Sequence, residues 1–114
     1  MVSDPQTREP RRSERVLLRI PIKVSGTASN GKPINEQGEA IVVSRHGALL
    51  RLASPLAIGT ELEVMNGYSQ EVEKFQVVYV SDKPKDGLYD IGVEFVAPRE
   101  EFWGIRFPVR EVKT

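Results

Sequence analysis

The chain has 114 residues, and 16 Lys and Arg balance 16 Asp and Glu. That length builds one domain around a single modest core, and a formal net charge of zero provides no global field toward nucleic acid or a membrane surface. Cysteine is absent and histidine occurs once, which excludes disulfides and thiolate chemistry and leaves a poor donor set for a transition metal.

Residues 1–10 are polar, with Pro5 and Pro10 and almost no large apolar side chains, and read as a disordered N-terminal arm. Residues 11–114 read as a single domain. No apolar run approaches the ~18 residues of a membrane span, so a soluble, cytoplasmic protein without membrane insertion is expected. The charge balance is uneven along the chain. Arg8, Arg11, Arg12, Arg15, Arg19 and Lys23 face only Glu9 and Glu14, which makes the front end the natural place for an anion.

Val16, Leu18, Ile20, Ile22 and Val24 alternate with Arg15, Leu17, Arg19, Pro21 and Lys23, the period of a strand with one core face. Pro21 cannot donate to a ladder and marks an edge or a bulge. Asn30-Gly31 is a strong tight-turn signal, although the whole Gly26–Gly38 stretch is polar enough to be a longer loop. Further strands follow at Ala40–Val43, Ala48–Ala53, Glu61–Met65, Phe75–Val80 and Tyr89–Phe95, separated by Gly-centred turns. Six short strands at this spacing predict an all-β fold, a six-stranded antiparallel β-barrel. Pro98, Glu100, Glu101 and Gly104 predict only a short C-terminal helical turn, whose Phe102, Trp103, Ile105 and Phe107 would plug the barrel or, if exposed, form a partner-binding patch.

Two clusters carry chemistry. Arg11, Arg12 and Arg15 offer forked donors for phosphate oxygens and guanine edges. Ser44-Arg45-His46-Gly47, between two strands, adds a hydroxyl and a glycine that admits close backbone approach. Arg45 is a further candidate for an anion. The order and spacing of these clusters resemble the PilZ domain, a bacterial receptor module for cyclic di-GMP. That family carries R-x-x-x-R before its first barrel strand and D/N-x-S-x-x-G at the turn after its second. Arg11 and Arg15 fit the first motif, with Arg12 as an extra arginine; Ser44 and Gly47 fit the second, where Val42 replaces Asp or Asn. The resemblance implies a split-barrel fold and a ligand-binding set of Arg11, Arg12, Arg15, Ser44, Arg45 and Gly47.

The remaining residues do not suggest an enzyme. His46 reads as a turn residue rather than a base, and Ser44 lacks the strand–turn–helix setting of an activated nucleophile. The pairs Glu61/Glu63 and Glu71/Glu73 each share a strand face and read as solvated surfaces. Arg19 gives a second R-x-x-x-R register with Arg15, discounted because it lies within a regular strand. If Ile41 and Val43 face the core, then Ala40, Val42 and Ser44 face out. Basic and aromatic residues do not alternate on any strand face, so RNA or single-stranded DNA is not expected as a partner. The resemblance implies a cyclic di-GMP receptor or adaptor, without cofactor, that signals by ordering its arginine arm and engaging an effector protein. The alternative is a degenerate module of the same fold that binds protein and no nucleotide.

Overall fold

Alternation of apolar and polar side chains governs β1, Val16–Thr27, in which Ile20, Ile22 and Val24 are buried while Arg19, Pro21 and Lys23 face solvent. The computed structural model describes residues 15–28 and 30–105. Within them lie β2 (Pro33–Val43), β3 (Gly47–Leu52), β4 (Glu61–Asn66), β5 (Val72–Val80) and β6 (Tyr89–Phe95), followed by one 3-10 turn at Glu100–Trp103. The strands close into an antiparallel barrel in the order β1-β2-β3-β6-β5-β4. The six-stranded barrel and its short helical turn are thus as the sequence predicts.

Pro21 sits where its missing N–H costs nothing. The β1–β4 ladder ends at Ile22↔Asn66, and the Pro21 carbonyl accepts the Gly67 N–H at 2.7 Å. Of the two forms open to residues 26–38, the structure has the tight turn at Asn30-Gly31 rather than a longer loop, and most of the stretch is strand. Thr27 pairs with Pro33 and Lys23 with Gln37, so β1 and β2 form one long hairpin around Asn30-Gly31. Its inward side carries only Ala28 and Ile34 as apolar side chains against the core, with Gly26, Glu36 and Gly38 between them, so apolar periodicity carries little signal.

The expected parity of β2 is half right. Ala40, placed on the outer face by simple alternation, is fully buried beside Val43, and Ile41 does not join the core. A bulge is the reason. Ala40 pairs with Leu50 and Val42 with Leu49, leaving Ile41 without a partner on β3. Val42 stays on the outer face, as expected.

Inward side chains from all six strands fill the barrel, and the C-terminal turn seals one end. Phe102 and Trp103 are buried there, with Phe102 packed edge-on to Phe95 at 6.0 Å and to Trp103 at 4.8 Å between ring centroids. Gly104 takes the left-handed conformation, φ 77°, that ends the turn. Phe107 lies outside the described residues. Two polar ties hold the seal. Buried Asn66 accepts the Tyr68 N–H at 2.8 Å and donates to the Phe102 carbonyl at 2.9 Å. Arg99 reaches Glu71 and, at 2.9 Å, Glu73, so this acidic pair grips a cation rather than facing water alone. The hydrogen bond to Glu73 holds the Arg99 guanidinium above its ordinary pKa.

Candidate functional site

The turn between β2 and β3 is organised by one hydroxyl. Ser44 Oγ accepts the N–H groups of His46 and Gly47, each at 3.3 Å, while the Ser44 N–H donates to the Gly47 carbonyl at 2.9 Å. The hydroxyl oxygen lies 3.5 Å from the same carbonyl, a contact weak enough to leave its proton available to another acceptor. Gly47 is required by its neighbours. A Cβ there would stand 2.0 Å from the Val93 carbonyl oxygen, because β3 begins directly against β6.

Beside this turn, on the outside of the barrel, lies a pocket of about 690 Å³. Its lining includes two rows of outward-facing residues running across the sheet. One row is polar. Arg15 precedes Val16, the partner of Val43, and so stands level with Ser44; Gly47 follows, paired with Glu94 on β6. The other row is apolar and is set by continuous register, with Leu17 paired to Val42, Val42 to Leu49, Leu49 to Gly92, and Gly92 to Tyr79. Val42, Leu49, Gly92 and Tyr79 all line the pocket, and Leu17 extends the row beyond it at 83 % exposure. A bulge between Val77 and Tyr79 leaves Val78 exposed as well, adding it to the same wall.

Of the residues singled out in the sequence, Arg15, Ser44 and Gly47 meet at this pocket. His46 also lines it. Arg45 is half-buried on the turn and is not part of the lining. Arg11 and Arg12 lie outside the described residues. Arg19, exposed on β1 and 3.9 Å from Glu39, does not line the pocket, so the second R-x-x-x-R register does not reach it. Leu49, Tyr79, Gly92 and Glu94 were missed. Each stands at an outward position of a correctly predicted strand or next to a bulge, and only cross-strand register brings them together.

Chemically, the polar row offers a guanidinium and a hydroxyl to an anion, and the apolar row offers a surface to the face of a planar ring. Among the described residues no group of acidic or histidine side chains could hold a metal ion, and no helix is long and apolar enough to cross a membrane.

Residues 9–103 match the PilZ domain family, and the chain belongs to that family of binding modules. A solved structure of K. pneumonia MrkH in complex with c-di-GMP superposes on 76 % of this chain with a TM-score of 0.56 and 21 % identity. This chain spans 44 % of that one. No curated protein matches the sequence.

Proposed function

We propose that this protein is a cyclic di-GMP receptor that passes its signal to a separate effector protein. The observation that carries the reading is the meeting of Arg15, Ser44 and Gly47 around one outer pocket of about 690 Å³. In it, Arg15 and the Ser44 hydroxyl bind phosphate oxygens, Gly47 admits the ligand to the backbone, and the apolar row receives a base face. Arg11 and Arg12 complete the phosphate clamp from the segment before β1. The rearrangement of that segment on binding is the output that the effector reads. Family membership and the fold shared with MrkH support the same ligand class.

Val42 weakens the complex relative to a polar residue at that place, because valine accepts no N–H. One charge-assisted hydrogen bond is worth ~1.5–3 kcal/mol, about ten- to a hundred-fold in affinity. A second reading, a protein-binding module that has lost the nucleotide, draws on the exposure of Leu17 next to Val42. Calorimetric titration with cyclic di-GMP, beside GTP and cyclic di-AMP, separates them. The receptor reading expects saturable heat for cyclic di-GMP that weakens with added salt; no heat at high ligand concentration supports the protein-binding module.

A further inference from the structure

Glu94 is out of place in a pocket built for an anion. It projects from the outer face of β6 and pairs in register with Gly47, two residues along the strand from Gly92. It lines the same pocket as Arg15 and Ser44. Neither a hydrogen bond nor an ion pair joins its carboxylate to any other described residue, although Arg15 shares the pocket. A bare carboxylate beside bound phosphates repels them, unless the ligand also brings N–H donors to meet it.

We propose that Glu94 is the residue that selects guanine, accepting the N1–H and 2-amino protons of a base seated on the apolar row. This rests on the cyclic di-GMP reading and moves the acceptor from β2, where Val42 supplies none, to β6. The chemistry is directional. Guanine presents two adjacent donors on that edge, a pattern that a carboxylate matches with two acceptor oxygens. Adenine presents one amino donor beside a ring acceptor, which leaves a carboxylate oxygen facing a lone pair. A carboxamide, with one acceptor and one donor, fits adenine instead. Discrimination then comes from attraction to guanine and repulsion of adenine at one side chain. Leu49, Gly92 and Tyr79 leave the neighbouring surface apolar, so the base lies flat against it while its edge reaches Glu94.

The test is calorimetric titration of the full chain and its Glu94→Gln and Glu94→Ala variants with cyclic di-GMP and with cyclic di-AMP. Glu94 is exposed, so both substitutions leave the barrel intact, and matching circular dichroism melts check this. The expected result is preference for cyclic di-GMP in the natural chain. Affinity for it should fall about ten-fold or more in both variants. Binding of cyclic di-AMP should be gained in Glu94→Gln and not in Glu94→Ala. If both variants bind cyclic di-GMP as tightly as the natural chain, or more tightly, Glu94 only repels the phosphates; the assignment is then overturned while the receptor reading stands. If the natural chain binds neither dinucleotide, the receptor reading falls and takes this assignment with it.

Discussion

Gly47 approaches Val93 so closely that a Cβ on the glycine would lie 2.0 Å from the valine carbonyl oxygen. The glycine that ends the S-x-x-G segment therefore serves the barrel before it serves any ligand. It lets β3 start against β6, and that junction brings Ser44 and Glu94 to one pocket. Gly47→Ala sets a side chain against backbone, which no rotamer change relieves. The expected cost is about 1–3 kcal/mol or more, typical of forced overpacking. Urea denaturation should show the midpoint falling; an unchanged midpoint would mean that β3 and β6 separate easily.

Asn66 links the β4–β5 turn to the C-terminal seal. Removing its side chain leaves the buried Phe102 carbonyl without its donor and the Tyr68 N–H without its acceptor. Asn66→Ala should cost about 1–3 kcal/mol for each group left without solvent or partner. Tyr68→Ala, at an exposed ring in the same turn, should change stability by no more than about 0.5 kcal/mol. Thermal melts of the two variants side by side check the contrast, and equal melting temperatures would contradict it.

Val42→Asp tests the apolar row. Val42 is half-buried on the outer face, so the barrel should tolerate the carboxylate at small cost. Strand β3 lies between Val42 on β2 and Glu94 on β6, so the new acceptor addresses different N–H groups of the ligand. Affinity for cyclic di-GMP should tighten about ten-fold. If this face instead docks a protein, the charge should weaken that association, which a pull-down of effector with the natural and variant chains would reveal.

Much of the barrel was legible because its inward strands alternate. The runs Val16–Val24 and Tyr89–Phe95 announce a buried face on their own. The polar half of β2, from Pro33 to Gly38, gave no such signal, since pairing with β1 rather than burial makes it a strand. The bulge at Ile41 escaped as well. Nothing in Ala-Ile-Val-Val shows that one residue lacks a partner on β3, and that single omission turns Ala40 inward. The site was legible where it is local: the Ser44 hydroxyl and Gly47 lie within one turn. Tyr79 and Glu94 were hidden because they reach the pocket through the register of β5 and β6, which neighbouring residues in the chain do not encode.

Arg15 is the described arginine that meets Ser44 at the pocket, and its removal should be felt in both affinity and salt response. Arg15→Ala should weaken cyclic di-GMP binding about ten-fold or more and flatten its dependence on salt, because one phosphate contact is lost. A calorimetric salt series on the two proteins measures both. Equal affinities at every salt concentration would place the phosphates elsewhere.

The most direct test of the receptor account is a heteronuclear NMR titration of the isotopically labelled full chain with cyclic di-GMP. The account predicts saturable amide shifts concentrated at Arg15, Val42, Ser44, Gly47, Leu49, Tyr79, Gly92 and Glu94, the two rows that line one pocket. Spectra unchanged at high ligand concentration, or shifts confined to the opposite side of the barrel along β4, would contradict it.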